Sequence, residues 1–235
     1  MIWDIFIASI MVFFFVTTPI ILSTQRELDS LFGEFPYFIL CIGLIIDCLI
    51  NANTGYYRNG CLIKSKYEII SAYSKNLLIF DLLSIIPLVL YFSQESIFLP
   101  VLTLYFFKYK SVKLIFKRIE LRLDLKPALL NVIAMLKLLS IVLFIAHIFA
   151  NIWIALSRLN PEYNWLHKAG IIDKPWYIQY MKAYYFITVT MVTVGYGDIT
   201  PSNETETFFA IITIFFACAV FAYRYDNEVL RWILD

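Results

Sequence analysis

Charge is scarce in this sequence. Only 16% of its 235 residues are Asp, Glu, Lys or Arg, against roughly a quarter in an ordinary soluble domain. Histidine is scarcer still, at two residues. No Ser/His/Asp set, HExxH motif or ligand-spaced metal cluster appears, which leaves catalysis and a resident metal without a foothold. The chain is expected to be no enzyme and to need no cofactor. The four cysteines, Cys41, Cys48, Cys61 and Cys218, lack metal-like spacing, and three fall in or beside apolar runs. They read as small buried hydrophobes. There is no GxxxxGK[ST] phosphate loop, no internal repeat and no low-complexity tract. A net charge of +1 gives no reason to expect a nucleic-acid partner.

What is abundant is apolar surface: 61% of residues are hydrophobic, with 21 phenylalanines and 16 tyrosines. Ile5–Leu22 is an eighteen-residue run without a charge, and Thr207–Tyr223 is another of seventeen. Runs of about 18 apolar residues are long enough to cross the hydrocarbon core of a bilayer. The first run is no secretory signal: Asp4 is the only early charge and Pro19-Ile20-Ile21-Leu22 is no small-residue cleavage site. The pattern is that of an integral membrane protein surrounded by lipid.

Six apolar segments can be marked, at about 4–22, 36–51, 77–92, 97–117, 127–157 and 205–224. Between the last two lies Tyr177–Met191, too short to cross, which leads into Val192-Thr193-Val194-Gly195-Tyr196-Gly197-Asp198. Non-helical backbone at membrane depth survives only where protein buries it or where it lines a watery cavity. This segment is therefore expected to be re-entrant. The expected fold is an all-α membrane protein with six transmembrane helices and a re-entrant helix and loop.

Orientation follows from the loops. Arg58, Lys64, Lys66 and Lys75 outnumber Glu68 after the second segment, and Lys117, Arg118, Arg122 and Lys126 outnumber Glu120 and Asp124 after the fourth. The 23–35 loop holds Arg26 against Glu27, Asp29 and Glu34, and the 93–96 link has Glu95 alone. Basic loops stay cytoplasmic. Both termini are then expected inside, in a plasma-membrane protein, and Asp198 faces outside.

The Gly-Tyr-Gly step suits cation conduction. Backbone carbonyls can replace a cation's water shell without the full charge that would trap it. Aiming successive carbonyls at one axis needs alternating dihedral regions, and glycine supplies positive φ at little cost. Gly195 and Gly197 stand two apart, with Val194 and Tyr196 expected to point into the wall. Thr193 can add its hydroxyl oxygen. One chain gives a quarter of such a ring, so four must surround the axis. The C-terminal dipole end of the preceding helix favours a cation there.

TVGYGD, Thr193–Asp198, resembles the selectivity-filter signature of potassium channels. The bland alternative, a Gly-Tyr-Gly turn in an external loop, is disfavoured by the re-entrant segment before it and the spanning segment after it. TGYYRNG (Thr54–Gly60), FDLLSIIP (Phe80–Pro87), Trp3-Asp4 and HIFANIW (His147–Trp153) extend the resemblance over nearly the whole chain. They are similar to the cyclic-nucleotide-gated, hyperpolarisation-activated and ether-à-go-go branch of the voltage-gated-like superfamily. The resemblance implies a voltage-sensor-like four-helix domain at 1–122 and a pore domain at 123–235. It further implies a homotetramer or heterotetramer, with potassium ions at Thr193, Val194, Gly195 and Tyr196, and Asp198 at the outer mouth. TVGYG in place of CIGYG favours a potassium-selective member over a mixed sodium–potassium type. Where many relatives read TMTTVGYG, this chain has Val192, which removes a hydroxyl and leaves the coordinating carbonyls intact. The branch usually continues into a cyclic-nucleotide-binding region. This sequence stops at Asp235, and no nucleotide binding is expected of it.

Voltage sensing requires basic residues at every third position of the fourth helix. Stepping from Val101 gives Val101, Leu104, Phe107, Lys110, Lys113 and Phe116, two charged rungs of six. Lys110, Lys113 and, near the cytoplasmic end, Lys117 are the candidate sensor charges, and Lys108 lies off the stripe. Asp47 and Asp81 are the candidate countercharges. An intramembrane carboxylate is a functional candidate, and a static ion pair holding the bundle is the alternative. Weak voltage dependence is expected.

Three smaller readings complete the sequence. His147 is expected to serve helix packing, and Lys137 to snorkel or pair. Asn203-Glu204-Thr205 matches the N-glycosylation pattern. The last apolar segment has neither glycine nor proline, so no hinge is readable there. The leading expectation is a potassium-selective channel. Its alternatives are a non-conducting regulatory subunit and a weakly selective cation channel.

Overall fold

A computed structural model describes residues 2–24, 35–58, 61–93, 106–122 and 127–234. Outside these lie Arg26, Glu27, Asp29, Glu34, Glu95, Asp124 and Lys126, as well as most of the fourth apolar segment before Phe106. The chain is mostly helical and divides into two compact units, Met1–Leu130 and Asn131–Asp235.

In the first unit α1 spans Ile2–Thr24 and α2 Phe35–Asn53. Two short strands follow, β1 (Tyr56–Arg58) and β2 (Cys61–Ile63), paired antiparallel with Tyr56 opposite Ile63. The helix α3 (Lys66–Tyr73) passes through a widened turn at Ser74–Leu78 into α4 (Ile79–Ser93). The third helical rod thus starts well before residue 77, where the apolar run begins, because its first part is too polar to show as a lipid-facing run. A 3₁₀ turn at 106–108 leads into α5 (Tyr109–Arg122).

Helix α1 is apolar all round, as lipid or a core demands. Pro19 removes one ladder bond, whose natural acceptor is the Phe15 carbonyl. The hydroxyls of Thr17, Ser23 and Thr24 return to backbone carbonyls three or four residues earlier, so they carry no unsatisfied donor into the apolar surroundings. Helix α1 packs on α2 and α5, and α2 packs on α3 and α4. Phe15 stacks on Phe106 with ring centroids 5.6 Å apart.

The helix α6 runs Pro127–Ser157, the limits read from sequence, and from Asn131 on it belongs to the second unit. Short α7 (Trp165–Lys168) precedes α8 (Trp176–Met191), and α9 spans Glu204–Leu234. The core is aromatic. Trp153 of α6 stacks on Phe186 of α8 at 4.7 Å and on Trp165 of α7 at 5.7 Å, and Phe149 meets Phe216 of α9 at 5.0 Å. Each such pair contributes about 0.5–1.5 kcal/mol beyond its area. Ala146, Ala150, Ala183 and Ala217 are buried among these rings, where a small side chain lets the helices approach. Within the described residues, Ile2–Thr24 and Val132–Ser157 are long and apolar enough to cross a membrane.

Candidate functional site

Two polar constructions stand out, one in each unit. The first is the end of α8. The helix stops at Met191, and Val192 donates to the Thr188 carbonyl at 3.0 Å, closing the last turn. The chain then turns out of the helix. Val194 and Gly195 both donate their N–H groups to one acceptor, the Val189 carbonyl, at 2.9 and 3.2 Å. A C-terminal carbonyl that the helix leaves unpaired is thereby satisfied twice. The peptides are trans, so within each the C=O points opposite to the N–H. The Thr193 and Val194 carbonyls therefore point away from Val189.

The φ values carry this pattern on: Thr193 +62°, Gly195 +58° and Gly197 +76°, with Val194 and Tyr196 between them at negative φ. Alternation of φ sign at every second residue is what aiming successive carbonyls at one axis requires. The glycines were legible as the positions that allow it. Thr193 was not, since a β-branched residue at positive φ is an outlier and costs roughly 1–2 kcal/mol. The paired bonds to Val189 hold it there.

Thr193 through Asp198 are all exposed in the single chain, Tyr196 at 71% and Val194 at 48%, while Ile199 is buried behind them. The Tyr185 phenol neighbours the Asp198 carboxylate. His147 of α6, through Nδ1, lies 2.7 Å from the Tyr180 hydroxyl of α8, a polar tie between the two helices.

The second construction lies in the first unit and surrounds Lys108. Its ammonium lies 2.9 Å from Asp47 Oδ2 and 2.7 Å from Asp81 Oδ1, with its side chain fully buried. Asp47 also accepts from Trp3 Nε1 and Asn51 Nδ2, and Asp81 from the Tyr73 and Ser111 hydroxyls. Each carboxylate thus has three donors, drawn from several helices.

The two candidate countercharges therefore converge, and on Lys108 rather than on the residues of the three-step stripe. Lys110 and Lys113 are exposed, and the Lys110 ammonium sits 4.7 Å from the Phe80 ring centroid. Lys117 is on α5, but its side chain lies outside the described residues. The buried face runs Lys108, Ser111, Val112, Ile115, a helical i, i+3, i+4, i+7 spacing.

A family model described as an ion channel matches residues 137–229. A voltage-gated inwardly rectifying potassium channel of Cavia porcellus is 25% identical over 258 residues, covering 96% of this chain and 19% of the relative. A potassium channel of Oryza sativa subsp. japonica is 27% identical over 241 residues, 96% of this chain and 32% of the relative. The chain is thus similar to potassium channels of the voltage-gated-like superfamily. The similarity is to ion channels, a class of membrane proteins rather than of enzymes. A potassium channel of Arabidopsis thaliana is 32% identical over 95 residues, 39% of this chain and 11% of the relative. The chain spans a third or less of the length of each of these relatives.

Proposed function

We propose that four such chains, identical or mixed, surround a potassium-selective pore whose filter is Thr193–Gly197, with Asp198 at its outer mouth. The observation that carries the reading is the alternation of positive φ at Thr193, Gly195 and Gly197. A ring of four such segments replaces the water shell of a potassium ion with carbonyl oxygens of Thr193, Val194, Gly195 and Tyr196, and the Thr193 hydroxyl adds a ligand at the inner end. Several closely similar sites in a row let an ion enter and leave at nearly equal free energy. The C-terminal end of α8 contributes partial negative charge at the inner approach.

Six membrane crossings with a re-entrant α8 put both termini in the cytoplasm of a plasma-membrane protein. Residues 1–122 then form a sensor-like domain and 123–235 the pore domain. With Lys108 held between Asp47 and Asp81 and few cations elsewhere on the fourth helix, voltage dependence is weak.

The test is to express the chain alone and measure the reversal potential with potassium inside and sodium outside. Reversal near the potassium potential supports the reading. Reversal near zero replaces it with a weakly selective cation channel. Surface protein without current replaces it with a regulatory subunit.

A further inference from the structure

The segment beyond Gly197 is fastened by a carboxylate that ion coordination does not use. Glu206, in the first turn of α9, is fully buried. Its Oε1 accepts the backbone N–H of Trp165 at 3.0 Å, and its Oε2 accepts that of Ser202 at 2.8 Å. Its own N–H donates to Asn203 Oδ1 at 2.9 Å, and Asn203 Nδ2 donates to the Tyr163 carbonyl at 3.0 Å. One side chain thus joins three stretches: the start of α7, the exit from the proposed filter and the start of α9.

A second tether runs beside it. Lys168 of α7 donates to Thr200 Oγ1 at 2.6 Å and to the Pro201 carbonyl at 3.2 Å. Ile199, between the filter and these tethers, belongs to the same apolar core as Trp165, Trp153 and Phe186. Through Trp153 that core reaches α8, whose end shapes Thr193–Gly195.

A buried carboxylate is costly unless hydrogen bonds replace its lost hydration. Here two charge-assisted bonds from backbone amides do so, and the N-terminal dipole of α9 adds to them. Glutamine cannot reproduce the arrangement. It offers one oxygen, and its amide NH₂ would face a backbone donor.

We propose that Glu206 is a positioning residue for the filter: it holds residues 198–202 against α7 so that Gly197 and Asp198 keep their orientation while ions pass. This rests on the pore reading above. The role predicts that loosening Glu206 lets the outer end of the filter rearrange, most readily when external potassium is too dilute to keep it occupied.

The test combines amide hydrogen exchange on the full chain in lipid with current recordings. In the unaltered chain the Ser202 and Trp165 amides are expected to be protected. In Glu206→Gln their exchange rises about tenfold or more while the middle of α6 stays protected. The current of that variant declines several-fold faster during maintained opening at low external potassium, and high external potassium slows the decline. Glu206→Asp, which keeps the charge on a shorter arm, is expected to fall between.

An unprotected Ser202 amide in the unaltered, conducting chain overturns the role, and this measurement needs no variant to fold. Faster exchange in Glu206→Gln with unchanged current and reversal potential also overturns it, leaving a purely structural tether. A chain that carries no current sinks the pore reading and this role together.

Discussion

The Lys108 ammonium lies 2.7 Å from Asp81, with neither side chain exposed. Asp47, at 2.9 Å, completes a group of two acids and one base. Removing the base leaves two carboxylates facing each other out of water. Breaking a buried ion pair from one side costs about 3–5 kcal/mol. Lys108→Met is therefore expected to destabilise the first unit by about that much. Asp47→Asn should cost clearly less, because Lys108 keeps Asp81. Thermal unfolding of the purified chain in detergent checks the order, and equal losses would refute it.

The same group bears on voltage. Moving one elementary charge through 100 mV is worth about 2.3 kcal/mol, and a cation held by two carboxylates, each with two further donors, moves only if those bonds break. Lys110 and Lys113, both exposed, remain as candidate movers. The expected gating charge per chain is far below that of a sensor with five or six arginines. Lys110→Gln combined with Lys113→Gln should flatten the conductance–voltage curve further. A steep curve in the unaltered chain would sink this expectation.

Gly197→Ala separates backbone conformation from packing. A Cβ at this position meets no heavy atom within 4 Å in the single chain, yet φ is +76°. The penalty is then conformational, about 1–2 kcal/mol, and local. The variant is expected to reach the surface in near-normal amount and to lose potassium selectivity or current. Normal selectivity with normal surface protein would mean that the positive φ there is dispensable.

Asn203 is predicted to carry no glycan despite its sequon. Its side chain is engaged at both ends, capping Glu206 and donating to Tyr163. A glycosidase should leave the electrophoretic mobility of the expressed chain unchanged. A downward mass shift that Asn203→Gln abolishes would contradict this.

Much of the second unit was legible because its signals are local. The limits of α6 follow from a long, mainly apolar run that starts at a proline, and those of α8 from a run too short to cross that ends at a glycine-spaced motif. What escaped was non-local or irregular. A step of three from Val101 treats the fourth segment as one ideal helix, but residues 106–108 form a 3₁₀ turn, and among the described residues the buried face runs through Lys108 instead. The β1–β2 hairpin was announced by Asn59-Gly60, the strongest short hairpin signal, set between short runs that were read only as a loop. Glu206 reaches Trp165 across 41 positions, a separation that no periodicity encodes. Thr193 was hidden for the opposite reason: intrinsic preference argues against its φ, and two backbone bonds overrule it.

Those bonds end at the Val189 carbonyl, an atom that every residue type provides. The bend into Thr193 is thus written in where α8 stops rather than in the side chain at position 189. Substitution there is a matter of packing alone, and many residues can serve. Gaining or losing one residue within 176–191 is different, because it rotates the acceptor by about 100° around the helix axis and presents it to the wrong amides. In this stretch the chain is forgiving about spelling and strict about length.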